Sequence, residues 1–191
     1  MKKKIVVFGY NKNSTKITEY IKDIDNYKIQ FIKRINYNKN FSNFDLIVLY
    51  GYREIVRKSF IAKYKNKLVN LHISYLPYNR GAHPNFWSWV NKTPHGVSIH
   101  RVSSRVDAGS ILYQKKVKIL LRNMTFKKSY EILRMEMDKL FSKKLSNILE
   151  NRYKLKQQKK IKLSFHKKKD LPKDLKKNWN IPIRAYLNKL R

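Results

Sequence analysis

The sequence predicts an α/β protein: an open, mostly parallel twisted sheet with helices on both faces, a long C-terminal helix and a short basic tail. The apolar run at residues 45–51 is typical of a strand that is buried on both sides of a parallel sheet. Strand-like and helix-like segments alternate up to residue 72, which is the rhythm of βαβ units. At residues 125–150, apolar side chains recur every three or four positions, which predicts a long amphipathic helix.

Four strands and two helices are predicted in the first part of the chain, in the order strand, helix, strand, strand, helix, strand. The strands cover residues 4–10, 27–35, 45–51 and 67–72, and the helices cover residues 14–24 and 53–66. Ser14 or Thr15 is the expected cap of the first helix. The second helix is expected to turn Ile55, Val56 and Phe60 toward the core.

The second part of the chain predicts a short helix at residues 85–90, strands at 95–102 and 110–120, and the long helix, which Thr125 is expected to cap. Met137 lies on the apolar stripe of that helix and is interpreted as a core residue. We therefore divide the chain into a main domain, residues 1–150, and a basic extension, residues 151–191. The extension contains apolar residues such as Leu163 and Trp179, so we expect it to dock partly on the domain.

Several classes of protein are excluded by composition. The 191 residues contain no cysteine, so disulfides, thiolate zinc sites and cysteine nucleophiles are ruled out. No apolar run reaches the roughly 18–20 residues that a membrane span needs. The basic, apolar start of the chain is interrupted at Asn11, which indicates a first strand and not a signal peptide. We therefore expect a cytoplasmic protein.

The formal charge of +33 has two interpretations. An anionic partner such as tRNA, a nucleotide sugar or a phosphorylated substrate would be attracted by this field. Alternatively, an AT-rich coding sequence writes its surface with lysine, which supplies about three quarters of the 45 basic residues. Nucleic-acid readers depend more on arginine, so we favour compositional drift over nucleic-acid binding and leave an anionic small molecule open.

Asparagine and histidine residues lie at the ends of two of the predicted strands. Asn70 and His72 are one residue apart and therefore share a strand face. The strand that ends at His100 leads through a polar loop to Asp107. An amide, an imidazole and a carboxylate are the groups that a carbonyl-transfer site uses to bind an oxyanion and to move a proton.

The pattern Asn70-x-His72-x-Ser74-x-Leu76-Pro77, then Gly-Val-Ser-Ile-His ending at His100, then Asp107-Ala-Gly, resembles the folate-dependent formyltransferase family. That family includes glycinamide ribonucleotide formyltransferase, methionyl-tRNA formyltransferase and the sugar N-formyltransferases. The resemblance runs from about residue 45 to about residue 120. It implies a Rossmann-like fold, the small molecule 10-formyltetrahydrofolate as formyl donor, and a primary amine, carried by an anionic compound, as acceptor.

The resemblance also implies roles for the three polar residues. Asn70 and His72 would stabilise the tetrahedral oxyanion, and Asp107 would orient the imidazole and help to remove the amine proton. His100 would support the site, or would be a structural histidine on an alternating strand. A metal site could be drawn from the histidines and Asp107, but their spacing matches no zinc signature, so no metal is expected.

Binding residues follow from the same alignment. Two segments would line the folate pocket. For Tyr52 and Ile55, the alternative to donor binding is ordinary packing at the start of a helix. The folate-pocket residues are Tyr52, Arg53, Glu54, Ile55, Val56, Val102 and Val106. The acceptor-binding candidates are Ser74, Tyr78, Arg80, Gly81 and Trp87. For Arg80 and Trp87, acceptor contact and loop anchoring are equally supported.

The differences between this sequence and two branches of the family decide which acceptor we predict. Residues 9–14 contain one glycine in place of the glycine-rich phosphate loop of glycinamide ribonucleotide enzymes. The Gly-Thr-Pro turn and the C-terminal RNA-binding domain of methionyl-tRNA enzymes are also missing. We therefore predict transfer to a nucleotide-linked amino sugar, with the methionyl-tRNA activity as runner-up. A basic nucleic-acid-binding module without catalysis and a hydrolase that releases formate remain as alternatives of other classes.

Overall fold

The computed structural model describes residues 1–159, 161, 165–176 and 178–190. Its β-strands and α-helices follow the predicted alternation. The strands are β1 Lys3–Gly9, β2 Tyr27–Ile32, β3 Leu46–Tyr50, β4 Leu68–His72, β5 Arg80–Gly81, β6 Gly96–Arg101, β7 Ile111–Lys116 and β8 Phe165–His166. The helices are α1 Ile17–Tyr20, α2 Lys58–Tyr64, α3 Pro84–Val90, α4 Phe126–Leu149 and α5 Ile183–Lys189.

Six of the strands form one sheet in the order β2-β1-β3-β4-β6-β7. The pairs among β2, β1, β3 and β4 are parallel, and β6 and β7 continue the sheet antiparallel. The carboxyl ends of β1, β3 and β4 therefore share one edge, where open α/β sheets bind their ligands. The predicted open, mostly parallel sheet is confirmed.

Apolar layers cover both faces of this sheet. In β3, Val48 and Tyr50 face the layer that contains α4, and Ile47 and Leu49 face the layer that contains α2. All five residues of β3 are buried. Alternating residues of one strand thus contribute to two cores, which is why its sequence is a continuous apolar run.

Helix α4 is the longest helix in the described part of the chain and lies across one of these layers. Thr125 caps it, because its hydroxyl oxygen accepts a hydrogen bond from the Lys128 N–H at 3.1 Å. Met137 is fully buried in the sheet-facing stripe. The predicted helix, cap and core face are confirmed.

The first predicted helix is wrong in length, because α1 is a single turn. Thr15 does not cap a longer helix: its hydroxyl donates to the buried Asp138 carboxylate of α4 at 2.9 Å. The Lys16 N–H donates to the other oxygen of the same carboxylate at 2.8 Å. This contact holds residues 15 and 16 against α4, and the helix begins only after them, at Ile17.

The second predicted helix begins five residues late, at Lys58. The segment that follows β3 is drawn out over the sheet edge, since Tyr52 packs edge-on against Phe8 and Glu54 pairs with Arg34 at 3.0 Å. Ile55 is consequently 78% exposed, and its predicted place on the core face is wrong.

The C-terminal extension contributes a third apolar cluster against α3 and the start of α4. Leu175 and Ile183 are fully buried there, and Tyr186 packs on Phe86 and Phe126. Leu163 lies outside the described residues. The division of the chain at residue 150 stays a prediction. Among the helices that the structure describes, none has the length and hydrophobicity that crossing a membrane requires.

Replacing Thr125 by alanine removes the side-chain acceptor at the start of α4 and leaves the Lys128 N–H without it. We expect the free energy of unfolding to fall by about 1 kcal/mol, measured by chemical denaturation. Thr125→Asp keeps an acceptor oxygen and should stay close to the wild type. An alanine variant as stable as the wild type would contradict the assigned cap.

Candidate active site

Strand β4 delivers two polar side chains to the carboxyl edge of the sheet. Asn70 and His72 are separated by one residue, so both lie on the same face of the strand. Strand β6 runs antiparallel beside β4 and places His100 directly opposite Asn70. His72 and His100 are buried, with ring centroids 6.3 Å apart.

The carboxylate of Asp107 joins these residues from the loop between β6 and β7. Its Oδ1 accepts a hydrogen bond from Asn70 Nδ2 at 2.9 Å, and its Oδ2 accepts one from the Gly81 N–H at 2.8 Å. His72 Nδ1 lies 3.6 Å from Oδ2, and His100 Nε2 lies 3.4 Å from Oδ1. The three residues that the sequence singled out are thus in one cluster.

Neighbouring carbonyls fix the protons of both imidazoles. His72 Nε2 lies 3.1 Å from the Asn79 carbonyl oxygen, which can only accept, so Nε2 carries a proton. His100 Nδ1 donates to the Arg101 carbonyl at 2.7 Å, which leaves His100 Nε2 as the acceptor for Asn70 Nδ2 at 3.1 Å. Both amide hydrogens of Asn70 are therefore engaged, one by Asp107 and one by His100.

The electrostatics of the cluster favour an ionised carboxylate. Burial alone would raise the pKa of Asp107, but the adjacent His72 and the hydrogen bond from the Gly81 N–H lower it well below its usual range. Burial lowers the pKa of His72, with Asp107 opposing that effect and His100 adding to it. At neutral pH the site therefore holds a buried negative charge beside an imidazole that can take up or share a proton.

Two serine hydroxyls hold the turn after β4, one from the turn itself and one from β6. Ser74 is buried and donates to the Tyr78 carbonyl, and Ser98 donates to the Ser74 carbonyl at 2.7 Å. The peptide bond between Leu76 and Pro77, inside this turn, is cis. Ser74 thus bonds within the loop, and Tyr78 is half-buried beside it.

Glycine is required where the Asp107 loop returns to the sheet. A Cβ atom on Gly109 would lie 1.8 Å from the Arg101 carbonyl oxygen, which is closer than any side chain can approach. The Asp-Ala-Gly sequence therefore allows the carboxylate of Asp107, whose own φ is 49°, to point back at β4.

The remaining acceptor candidates contact the C-terminal extension. Arg80 donates to Gln158 Oε1 from Nε at 3.0 Å and from Nη2 at 2.8 Å. Trp87 stacks on His166 with ring centroids 4.1 Å apart, and its buried indole N–H finds no hydrogen-bond partner among the residues that the structure describes. Gly81 supplies the N–H that Asp107 binds, so it lies in the cluster itself.

The predicted folate segments meet at one apolar cluster on the α2 face of the sheet. Tyr52 and Val56 after β3, and Val102 after β6, all pack against it. Ile55 and Val106 expose apolar side chains, at 78% and 38%. Glu54 is paired with Arg34, and the Arg53 carbonyl accepts from Lys168 Nζ at 2.9 Å.

Sequence reasoning missed two residues that complete the cluster. Asn79 binds His72 through its backbone carbonyl, a contact that no side-chain pattern can reveal. Gln158 lies in a lysine-rich segment about fifty residues beyond Asp107, and only a prediction of the pairing between that segment and β7 could have found it. Within the described ranges, no group of three or more His, Cys, Asp or Glu is arranged to hold a metal ion.

Comparison with known proteins places the chain in a family. The sequence profile described as Formyl transferase matches residues 3–145, which is most of the chain. The fold and this match define an enzyme of the α/β class, and the Asp107 cluster at the carboxyl edge of the sheet is its candidate active site. The chain belongs to the formyl transferase family.

Individual relatives extend the comparison. The crystal structure of the formyltransferase PseJ from Anoxybacillus kamchatkensis is 30% identical, covers 98% of this chain and 100% of its own, and superposes with a TM-score of 0.85. The bifunctional polymyxin resistance protein ArnA of Wigglesworthia glossinidia brevipalpis is 31% identical over 175 residues, and the methionyl-tRNA formyltransferase of Finegoldia magna is 38% identical over 78 residues. Those alignments cover 90% and 40% of this chain, but only 25% of each curated relative.

Lowering the pH from about 7 to about 5 should reduce the free energy of unfolding. Burial lowers the pKa of His72 and lowers the pKa of His95 to about 4, from an ordinary 6.5. Between those values the unfolded chain binds protons that the folded chain does not, so stability falls as the pH falls. The contribution of Asp107 is lost only below its ordinary value of 3.8, outside this window.

Urea denaturation at constant ionic strength measures this effect. The variant His95→Gln removes one of the titrating groups while keeping a polar partner for Ser88, whose hydroxyl lies 2.7 Å from His95 Nδ1. We expect a shallower pH dependence for this variant than for the wild type. Wild-type stability that is constant or rises toward about pH 5 would contradict the assigned protonation states.

Proposed function

We propose that this protein is an N-formyltransferase that moves a formyl group from 10-formyltetrahydrofolate to the primary amine of a nucleotide-linked amino sugar. The observation behind this proposal is the Asp107 carboxylate, bound by Asn70 and flanked by His72 at the ligand-binding edge of the sheet. Among the relatives, PseJ matches over both chains, and its crystal contains UDP-4,6-dideoxy-4-formamido-L-AltNAc and tetrahydrofolate. The family and the shared length support the same reaction class here.

The surface beside the cluster has the chemistry that the donor requires. A pterin and its benzoyl linker have flat faces that can pack on apolar side chains, and the predicted folate segments offer exposed apolar side chains at Ile55 and Val106. Tyr52 and Val102 both pack against the apolar cluster on the α2 face of the sheet, which supports placing the two segments on the same side of the sheet. Tyr52, Arg53, Glu54, Ile55, Val56, Val102 and Val106 are the residues that we propose to hold the donor.

The cluster can accept the proton that the amine loses. When the amine attacks the formyl carbon, a carbon–nitrogen bond forms and the formyl oxygen becomes an oxyanion. The ionised Asp107, or His72 beside it at 3.6 Å, takes the proton from the attacking nitrogen. The same proton then passes to the nitrogen of the departing tetrahydrofolate as the old carbon–nitrogen bond breaks. No net proton is consumed by the protein.

Asn70 can assist only after it releases one of its present partners. Its two amide hydrogens are held by Asp107 and His100, so neither is free for an oxyanion. Protonation of Asp107 weakens the hydrogen bond from Asn70 and frees that N–H for the oxyanion. Proton uptake and oxyanion binding would then occur together, and one such donor contributes about 2.7–4 kcal/mol in comparable sites.

The proposed acceptor is an anion, and the charge of the chain suits it. The formal charge of +33 raises the local concentration of nucleoside diphosphate derivatives near the surface. Arg80, which is half-buried and lies next to Gly81, adds a guanidinium close to the catalytic carboxylate. We propose that the acceptor side of the site is formed by Ser74, Tyr78, Arg80, Gly81 and Trp87. Among these, Arg80 would contact the anionic acceptor.

Absorbance-monitored turnover of 10-formyltetrahydrofolate, with and without a panel of nucleotide-linked amino sugars, tests the proposal. We expect turnover that depends on one amino sugar and that His72→Ala abolishes. Turnover without any amine would instead indicate a hydrolase. Turnover only with methionyl-tRNA would identify the other acceptor, and steeply salt-dependent RNA binding without folate binding would favour a basic binding module.

Asp107→Asn should lower kcat by about 100-fold or more, because the isosteric amide keeps the shape but cannot accept the amine proton. Steady-state kinetics under saturating donor and acceptor measure the loss. Asp25→Asn is the matched control, since Asp25 is exposed and lies far along the chain from the site. Equal turnover by Asp107→Asn and the wild type would refute the role given to this carboxylate.

A further inference from the structure

Gln158 lies in the C-terminal extension, outside the region that the family profile matches. After α4 the chain returns along the sheet, where Lys156 and Ile111 exchange backbone hydrogen bonds of 2.8 and 2.9 Å. This antiparallel bridge places the residue two positions later, Gln158, opposite Gly109. The extension therefore reaches the loop that carries Asp107.

All four hydrogen-bonding positions of the Gln158 amide are used. Nε2 donates to the Asp107 carbonyl at 2.8 Å and to the Gly109 carbonyl at 2.7 Å. Oε1 accepts from Nε and Nη2 of Arg80 at 3.0 and 2.8 Å. Carbonyls only accept and a guanidinium only donates, so the orientation of the amide is fixed by its partners.

These contacts connect the two segments that meet at the catalytic carboxylate. One segment is the backbone of Asp107 itself, and the other is β5, whose Gly81 N–H donates to Asp107 Oδ2 at 2.8 Å. Asp107 has a left-handed backbone with a φ of 49°, a conformation that aspartate tolerates better than most residues. By bonding both segments, Gln158 sets the distance across which the Gly81 N–H reaches the carboxylate.

We infer that Gln158 is a positioning residue for formyl transfer, which holds the Asp107 carboxylate in register with Asn70 and His72 through the backbone of its loop and through Arg80. This inference rests on the proposed function, because it assigns Gln158 to the same reaction. The extension supports β5 from a second direction as well, since β8 pairs with it and the His166 carbonyl accepts from the Ala82 N–H at 2.9 Å. The active site is thus built from residues on both sides of position 150.

The variant Gln158→Met tests the inference, because methionine has a similar length but neither donates nor accepts strongly. We expect kcat to fall by about 10-fold to 100-fold, the effect of a small misplacement of a reacting group. The KM for the folate donor should change less than kcat, because Gln158 contacts only the Asp107 end of the loop after β6 and none of the donor residues after β3. Gln157→Met is the matched control, because Gln157 is the adjacent glutamine and is exposed.

A second measurement does not depend on turnover. An N–H that donates to a carboxylate resonates downfield, so the Gly81 amide proton reports the hydrogen bond to Asp107 directly. We expect this resonance to move upfield in Gln158→Met and to stay in place in Gln157→Met. A purely structural contribution would lower thermal stability without selecting Gly81. If Gln158→Met fails to fold, Gln158→Asn, which keeps the amide on a shorter side chain, replaces it in both measurements.

The outcomes separate the two proposals. A wild-type chain that transfers no formyl group overturns the proposed function, while the Gly81 resonance still decides whether Gln158 positions Asp107. Wild-type kcat together with an unmoved Gly81 resonance in Gln158→Met overturns the inference and leaves the proposed function intact. Loss of kcat together with the upfield shift supports both.

Discussion

The buried carboxylate of Asp107 is the interaction on which the rest of the site depends. A buried charge is costly unless hydrogen bonds and neighbouring charges compensate for it. Here Asn70 and the Gly81 N–H donate to it, and two histidines lie within 3.6 Å. These partners come from β4, β5 and β6, so the carboxylate can remain ionised only when three separate parts of the fold are assembled correctly.

Acidic residues are scarce in this chain, and several of them join distant segments in the way that Asp107 does. The chain has twelve acidic residues against 45 basic ones, and three of the acids join segments that are distant in sequence. Asp45 accepts from the Lys4 N–H at 2.8 Å between neighbouring strands, Asp138 holds Thr15 and Lys16 against α4, and Asp107 joins β4 to β5. A strongly positive surface is thus combined with a few carboxylates that have fixed partners.

Local patterns made much of the fold predictable. The alternation of buried runs and amphipathic segments gave the parallel sheet, and the spacing in α4 gave its length, cap and core face. The period of two in a strand was enough to place Asn70 and His72 together. Their partnership with Asp107 came from the family pattern, and the roles of all three remain proposals.

Contacts between distant segments explain what the sequence did not predict. The helix expected to begin at Ser14 or Thr15 begins at Ile17, because Thr15 and Lys16 are bound to Asp138, more than a hundred residues away. Ile55 fits a helical spacing, but the chain around it is drawn across the sheet edge by Tyr52 and Glu54. Gln158 is brought to the Asp107 loop by the bridge between Lys156 and Ile111, which no local pattern encodes.

The most direct test is a crystal structure of the chain with tetrahydrofolate and the formylated form of the amino sugar that supports turnover. The account predicts that the formamide oxygen lies within hydrogen-bond distance of Asn70 or His72 and that the formamide nitrogen faces Asp107. It also predicts that the pterin lies between the segment after β3 and the loop after β6. Ligands bound at another edge of the sheet, away from Asp107, would contradict it.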